Sequence, residues 1–455
     1  MGDSDEIIHT KIDGKWLRLT SDIIIPHPGG PVIRQYANAD ATHVFRGFHE
    51  GSSQAFKQLE VLKKTRVVTD KDLIARLEAN LAIRDDEKDI NVSTYDVSVE
   101  EEKRMVQNFE KLRQKIIDYG LMDSQPFYYV FKTSTTLGLL FLAFYLQYID
   151  YVYTSAIVLG LAWQQFGWIT HEYCHHQPSK NRRMNNIFSL IFGNVVQGYS
   201  IDWWKDKHNT HHAATNVVEH DGDIDLSPLF ALIPSDLFKY KAELEHFLLK
   251  FIPYQHLYFT LSLPLLRVSW VSQSIQWVLP NDKLKEFAIY QKNHRMEAWG
   301  LFIHWSWVFF QLYCLPDWST RISYFLISQS LAGFLIAHVV TFNHNSVDKY
   351  PAHSRLLNNF SFLQIMTTRD MESSPFIDWL WGGLNFQIEH HLFPTMPRCN
   401  LGKCSMLVRD FCKENGLPYM VDGYWAGYQL NLKQLENVAN LVRDNQHKIA
   451  GPHQE

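Results

Sequence analysis

The second half of this 455-residue chain carries three tight clusters of metal-binding side chains. They read HEYCHH at 171–176, HNTHH at 208–212 and QIEHH at 387–391, and each falls just outside a long apolar run. Neutral imidazole is a good ligand for iron, copper and zinc. Seven or eight imidazoles in three groups can hold more than one metal ion. The sequence therefore predicts a metal centre that works on a molecule in a bilayer.

Spacing within the second and third clusters favours ligands on one side of a helix. One helical turn places His208 beside His211 and His212. The third cluster repeats this spacing with Gln387 in the first position. Because glutamine is a poorer ligand than histidine, its carbonyl either binds a metal weakly or only hydrogen-bonds a ligand. A further candidate, His344, directly follows the fourth apolar run, and two neighbouring histidines stay open between ligand and packing: His176 and His338.

The first cluster allows a second interpretation. Its residues His171, Glu172 and His175 match HExxH, the signature of zinc metalloproteases, in which the glutamate is the general base. A hydrolytic zinc site needs three protein ligands and no supply of electrons. A membrane metalloprotease leaves the other two clusters and the N-terminal motif unexplained, and it stands as an alternative of a different class.

Near the N-terminus, the motif His27-Pro-Gly-Gly predicts a haem ligand. A haem iron can take two axial imidazoles, and glycines beside a ligand let the backbone approach the porphyrin. The second imidazole must come from the following loop, where His43 and His49 are both candidates. A bis-histidine haem has no open position for oxygen, so it carries electrons and does no substrate chemistry. The alternative is an ordinary turn that contains a histidine.

Four apolar runs must position the clusters, and they cover 133–149, 151–169, 298–315 and 322–342. A helix needs roughly 17–25 residues to cross about 30 Å of hydrocarbon, so the runs predict two transmembrane hairpins. Buried helices of a soluble protein are the alternative. Two hairpins put both chain ends on one side, together with nearly all Lys and Arg and all three clusters. The positive-inside rule makes that side cytosolic.

The remaining segments are more polar. Residues 1–85 are mixed, with short β-like runs such as the three isoleucines at 23–25. An apolar stripe between 98 and 122 predicts an amphipathic helix that lies on a domain or on the membrane surface. The stretches 187–199 and 251–279 are apolar but broken by Gly, Pro and Gln, which favours interfacial or re-entrant pieces. Helical stripes in the C-terminal tail are typical of packing.

Composition narrows the class of protein. The net charge of -5 and the lack of a basic block exclude a nucleic-acid partner. Aromatic residues make up 14% of the chain, and Trp and Tyr concentrate at membrane interfaces. The mean hydropathy of -0.21 is that of a soluble protein only because a polar first third dilutes the apolar runs. Five cysteines without a paired framework predict a reduced, cytosol-facing protein, and the acidic N-terminus is not expected to be a signal peptide.

The motifs HxxxH, HxxHH and QxxHH, with two apolar hairpins between them and HPGG in front, resemble one family along almost the whole chain. This family is the front-end lipid desaturases, membrane di-iron oxidases fused to cytochrome b5. The glutamine that opens the third cluster is the family's own departure from histidine, and Phe-His-Glu-Gly around His49 resembles the segment of its second haem ligand. Segments 208–216 and 379–385 are similar to nematode Δ6 and Δ5 acyl members, and 342–348 leans to Δ6.

The resemblance implies a multi-domain fold class. A small α+β cytochrome b5-like haem domain (1–85) and an amphipathic linker (86–125) precede an all-α membrane domain of four transmembrane helices with a cytosolic histidine-rich cap (126–396) and cytosolic C-terminal helices (397–455). It implies haem b on His27 and His49, with His43 on the surface, and two non-haem iron ions. The implied iron ligands, with Gln387 nearby, are His171, His175, His208, His211, His212, His344, His390 and His391.

The resemblance also implies the reaction. With O₂ as co-substrate, we expect a cis double bond at Δ6 of C18 polyunsaturated chains such as linoleate and α-linolenate, presented as acyl-CoA or as membrane lipid. An NADH-cytochrome b5 reductase would supply electrons at the endoplasmic reticulum membrane, where both termini are expected to be cytosolic. Δ5 acyl desaturation, sphingolipid Δ8 desaturation and hydroxylation use the same motifs. A non-catalytic haem electron carrier is the alternative of another class.

Overall fold

The computed structural model describes residues 6–81, 92–240, 247–351 and 355–444. Helices dominate these ranges, which also contain two small two-stranded sheets. The predicted domain boundary between residues 85 and 86 lies outside the described residues.

The N-terminal part begins with an antiparallel hairpin of β1 (Ile7–Ile12) and β2 (Lys15–Thr20). Both turn residues, Asp13 and Gly14, have positive φ (50° and 73°), which matches the twist of paired strands. The prediction of β structure at 23–25 is wrong, because the chain turns into a helix after β2 and buries Ile24 in the core. The helices that follow are α1 (Ser21–Ile24), a 3₁₀ helix (Gly30–Tyr36), α2 (Thr42–His49), α3 (Ser53–Thr65) and α4 (Lys71–Leu81).

The amphipathic helix predicted between 98 and 122 is present as α5 (Val99–Asp118). A capping box starts it: the Ser98 side chain accepts from the Glu101 amide, and the Glu101 carboxylate accepts from the Ser98 amide. Its apolar face is buried inside the protein at Met105, Phe109, Leu112 and Ile116.

One hydrophobic core joins the N-terminal part, α5 and the C-terminal helices. The fully buried ring of Phe109 lies within it and contacts the rings of Phe360, Phe393 and Phe411 at centroid distances of 6.1, 5.7 and 6.0 Å. The expectation that His43 lies on the surface is wrong, because its ring packs edge-on against the same Phe109 ring at 5.2 Å and only 9% of its side chain is exposed. The N-terminal part is therefore packed onto the rest of the chain through a shared core.

Four long helices contain the four predicted apolar runs. They are α6 (Pro126–Tyr148), α7 (Val152–Cys174), α13 (Ala288–Tyr313) and α14 (Trp318–His344). By length and composition, α6 and α14 qualify as membrane spans among the described residues. Large apolar side chains project outward from α6 and α13, for example Phe127 (91% exposed) and Phe310 (68%). Exposed apolar faces of this kind mark a surface that contacts membrane or another apolar partner.

Shorter helices fill the space between the two helix pairs and follow the second pair. The stretches predicted as broken, 187–199 and 251–279, are short helical pieces that include a π-helix (Leu190–Gln197) and two 3₁₀ helices (Ile252–Tyr254 and Leu263–Leu265). The helices between the pairs are α8 (Arg182–Ser189), α9 (Ile201–Ala213), a 3₁₀ helix (Pro234–Lys239), α10 (Gln255–Ser262), α11 (Leu266–Trp277) and α12 (Asp282–Glu286).

The C-terminal region closes the structure over the ends of α7, α9 and α14. Two short parallel strands, β3 (Asp370–Met371) and β4 (Val421–Asp422), pair within it. The residues predicted to pack in the tail, such as Leu401 and Val408, are buried. The helices are a 3₁₀ helix (Arg355–Asn358), α15 (Phe360–Met366), α16 (Pro375–Leu380), α17 (Gln387–Leu392), α18 (Arg398–Asn415) and α19 (Tyr424–Arg443).

If the shared core holds the N-terminal part in place, Phe109→Ala will destabilise the whole protein. Truncation of a buried phenylalanine costs about 3–5 kcal/mol, through lost apolar burial and the cavity left behind. Thermal unfolding of the purified protein, followed by circular dichroism, measures the change. The matched control is Tyr119→Ala at the exposed end of the same helix, which should change the free energy of unfolding by less than about 0.5 kcal/mol. Equal shifts for both variants would contradict the role of Phe109.

Candidate metal centre

Among the described residues, eight histidines converge into two adjacent groups. Within each group, one nitrogen of every imidazole lies within 4.8 Å of the others. The first group consists of His171, His175, His208, His212 and His390, and the second consists of His211, His344 and His391. All eight side chains that the sequence predicted as iron ligands are therefore brought together.

Helix periodicity decides which histidines share a group. His171 and His175, at the C-terminal end of α7, are four residues apart and lie on one face, and the same spacing joins His208 to His212 on α9. His211 is turned about 100° from His212 around the axis of α9 and faces the second group. The predicted grouping of all three histidines of this cluster on one side is thus only partly right.

The spacing of the ring nitrogens fits ligands of one metal. Imidazole nitrogens bind metals at about 2.0–2.1 Å, so two ligands at right angles lie roughly 3 Å apart. The Nε2 atoms of His208 and His212 are 3.1 Å apart. Nε2 of His171, Nε2 of His175 and both ring nitrogens of His390 are buried without a hydrogen-bond partner. Since buried polar atoms are normally paired, a bound metal accounts for this set.

Gln387 belongs to the second group. Its amide nitrogen lies 3.0 Å from Nε2 of His344 and 3.1 Å from Nε2 of His391, and its Oε1 is buried without a partner. Amide oxygen and nitrogen are assigned from the hydrogen-bond network. Rotation of the amide by 180° would place the oxygen beside the two imidazoles, in the position of a ligand. The side chain therefore lies beside the imidazoles of the second group and is a candidate fourth ligand.

Two carboxylates orient the histidines of α9. Nδ1–H of His211 donates to Asp221 at 2.7 Å, and Nδ1–H of His208 donates to Asp223 at 3.3 Å. Such partners fix the tautomer, so that Nε2 is left free for the metal, and they raise the basicity of the ring. The spacing of Asp221 and Asp223 in the sequence does not predict this role.

The second group is oriented by α15 and the residue after it. Nδ1–H of His391 donates to Oε1 of Gln364 at 2.9 Å, and Nδ1–H of His344 donates to the carbonyl of Thr367 at 3.0 Å. Gln364 also donates to the carbonyl of His212 at 3.0 Å and so connects both groups. Nothing in the spacing of Gln364 marks it in the sequence.

Burial sets the protonation of the ligands. It lowers the pKa of His212, His390 and His391 well below the usual value, which keeps these rings in the neutral form that binds metal. Burial alone would also lower the pKa of His211, but the carboxylate of Asp221 raises it above the usual value. His211 is therefore the most basic of the eight rings as long as it keeps its hydrogen bond to Asp221. A bound metal would compete with the proton for this ring.

Three other candidates lie outside the two groups. Glu172 points to Arg398, with 2.8 Å between its carboxylate and the guanidinium, and this pairing argues against a role as a protease base. His338 hydrogen-bonds the hydroxyl of Tyr424 and stacks on its ring. His176 has a positive φ of 60° and belongs to neither group.

The N-terminal histidines form a separate pair. The ring centroids of His27 and His49 are 6.2 Å apart, and two imidazoles on opposite sides of one metal have centroids roughly 6 Å apart at bond lengths of about 2 Å. Nδ1 of His27 is buried without a partner, whereas Nδ1–H of His49 donates to the Phe45 carbonyl at 2.8 Å. Burial lowers the pKa of His27 to about 4 and that of His49 to about 3, so both rings are neutral. The pair fits two axial ligands of a haem iron.

The glycines beside His27 allow close packing of the loop. Gly30 has a φ of 65°, which disfavours other residues, and the hydroxyl of Tyr290 occupies the place a side chain would take. The same N-terminal part contacts α9 directly, because the hydroxyl of Tyr36 donates to the carbonyl of Ala213 at 2.9 Å. The histidine pair is thus packed next to the helix that carries three ligands of the two groups.

Fold and site together define a class: helical proteins whose long apolar helices end in clustered histidines that could hold metal ions. The chain belongs to the fatty acid desaturase family, whose model matches residues 151–423, and it is therefore an oxidoreductase. It is 61% identical to the Δ6 fatty acid desaturase fat-3 of Caenorhabditis elegans, over 96% of this chain and 97% of that protein. It is 45% identical to the Δ5 fatty acid desaturase fat-4 of the same organism, over 97% of each chain. A Δ8 fatty acid desaturase of Euglena gracilis is 36% identical over 88% of each chain. The predicted family is confirmed.

The carboxylate partners of α9 lead to a prediction about metal affinity. Asp221→Asn should weaken metal binding by about 10–100-fold, because the amide no longer fixes the tautomer and basicity of His211. Titration of iron into the metal-free protein, with metal content measured by mass spectrometry, gives the affinity. Asp225→Asn is the matched control in the same segment; Asp225 pairs with Lys239 at 3.1 Å, and its loss should leave iron affinity unchanged. The assignment is wrong if Asp221→Asn binds iron as tightly as the wild type.

Proposed function

We propose that this protein is a front-end acyl desaturase that introduces a cis double bond at Δ6 into C18 polyunsaturated chains such as linoleate and α-linolenate. One observation carries the proposal: the two histidine groups lie next to the N-terminal part, which contains His27 and His49. The regiochemistry is supported by the 61% identity to a Δ6 desaturase, against 45% to a Δ5 desaturase. Δ5 desaturation is the second candidate on that same ground.

The proposed site holds two non-haem iron ions. His171, His175, His208, His212 and His390 would bind one, and His211, His344 and His391, with Gln387, would bind the other. When bound, the metals supply the oxidising power of O₂ that an unactivated C–H bond requires. Burial favours the neutral form of His212, His390 and His391 and keeps bulk water out. Asp223 and Asp221 direct Nε2 of His208 and His211 inward.

The N-terminal part would carry haem b between His27 and His49 as a cytochrome b5-like domain, covering residues 1–85. The linker 86–125, the membrane domain 126–396 and the C-terminal helices 397–455 complete the proposed organisation. Electrons would arrive singly from an NADH-cytochrome b5 reductase. With two electrons, two protons and one O₂, the loss of two hydrogens from the acyl chain gives one double bond and two waters.

We place the enzyme in the endoplasmic reticulum membrane, with four spans and with both termini in the cytosol. The long helices α6, α7, α13 and α14 would be the spans, and the exposed aromatic faces of α6 and α13 support contact with lipid. Five free cysteines fit a reducing compartment. The acyl substrate would be presented as acyl-CoA or as membrane lipid.

Expression in yeast fed linoleate and α-linolenate tests the proposal. The expected product carries a new double bond at Δ6, located by mass spectrometry of derivatised fatty acids. Longer polyunsaturated acids are fed in parallel cultures, and a product at Δ5 from them would select the second candidate. The absence of a product from every fed acid would contradict both candidates. His212→Ala should abolish the product because it removes a metal ligand. His256→Ala, on α10 and outside both histidine groups, should leave it unchanged.

A further inference from the structure

A phenylalanine side chain connects the two histidine sites. Phe48 is the residue before His49 on α2, and its ring meets the ring of His212 edge-on, with 6.2 Å between centroids and 81° between planes. His212 belongs to the first metal group. One peptide bond and one aromatic ring therefore connect the proposed haem ligand His49 to the proposed iron ligand His212.

Hydrogen bonds on both sides hold Phe48 in place. The guanidinium of Arg182 donates to the carbonyl of Phe48 at 2.8 Å, and the hydroxyl of Thr395 donates to the carbonyl of Gly47 at 3.3 Å. The Phe48 ring is half-buried against the core that N-terminal and C-terminal parts share. Because the contact is part of a packed interface, Phe48 meets His212 without a movement of the N-terminal part.

We propose that Phe48 is the bridging residue through which electrons pass from the N-terminal haem site to the histidine metal centre. The inference rests on the proposed function. In each transfer a ferrous haem iron loses one electron and a ferric non-haem iron gains it. No bond is formed or broken, and no proton moves at Phe48. The ring excludes water and keeps continuous atomic contact between the two sites, which an electron crosses more readily than a gap.

A second path for the electron would run through His176, which lies on the same side of the metal centre as Phe48. It follows the ligand His175 directly, and burial, with the nearby charges of Lys205, Arg182 and His49, lowers its pKa. Within the part of the chain that the structure describes, His176 has no ring contact with either histidine site, whereas the ring of Phe48 meets that of His212. The geometry therefore favours Phe48, and a variant of His176 separates the two routes.

Flash photoreduction of the full-length protein under anaerobic conditions tests the proposal. A photoexcited flavin reduces the haem, and the Soret band reports its reoxidation by ferric iron. Protein loaded with zinc, which accepts no electrons, supplies the blank. Phe48→Leu should slow the iron-dependent reoxidation severalfold, since it removes the ring that meets His212. Phe48→Tyr, which keeps the ring, should retain most of the rate.

Two further measurements separate bridging from a merely structural role. Haem content and haem midpoint potential should be the same in Phe48→Leu and wild type. Phe56→Leu is the matched control, since Phe56 packs on Phe45 within the N-terminal part at 5.5 Å, and it should keep the wild-type rate. If Phe48→Leu loses haem, Arg182→Gln serves instead; it removes the hydrogen bond to the Phe48 carbonyl and should slow reoxidation with haem intact.

The inference is overturned if Phe48→Leu has normal haem and an unchanged iron-dependent rate of reoxidation. Where Arg182→Gln replaces that variant, an unchanged rate in Arg182→Gln overturns it. So does slow transfer in His176→Phe combined with normal transfer in Phe48→Leu. Either result leaves the desaturase proposal standing. A wild-type protein without a Soret band would instead contradict the proposed function, so the two failures are distinguishable.

Discussion

The convergence of eight imidazoles at one place, seven of them buried, is the constraint on which the rest of the structure depends. Buried polar atoms without partners cost free energy, and several of these ring nitrogens face one another without a hydrogen bond. Coordination of a metal ion would compensate this cost. The ends of α7 and α14, the face of α9 and the short helix α17 must therefore meet within a few ångströms. Hydrogen bonds that the rings donate to Asp221, Asp223 and Gln364 hold them in the orientation that coordination needs.

The long apolar helices act as supports for this centre. α7 ends at the first cluster and α14 ends at His344, so each brings a ligand to the same end of the helical bundle. The long helices can be apolar on the side that faces lipid and still carry polar histidines, because the polar groups are concentrated at the helix termini. Oxidation of an acyl chain needs this arrangement, since the substrate is apolar and the metals need polar ligands.

The packing does not follow the order of segments along the chain. The hydrophobic core around Phe109 takes side chains from the N-terminal part, from α5 and from the C-terminal helices. Tyr36 bonds the backbone of Ala213, one residue after His212, so the N-terminal histidine pair is fixed beside the metal groups. Electron delivery and oxidation would then occur in one rigid body, which removes the need for a diffusive encounter between carrier and centre.

The sequence by itself determined the candidate ligands and the long helices. Histidines at spacings of three and four must share a region of a helix, and apolar runs of this length must be helical, so His171, His208 and His390 were recognisable without a structure. Only the tertiary structure decided that His211 and His212 serve different groups and that Asp221 and Gln364 orient them. It also decided that Ile24 is helical and that Phe48 touches His212. The reason is physical: helix spacing depends on neighbours in sequence, whereas hydrogen-bond partners and ring contacts between distant segments depend on how the helices pack.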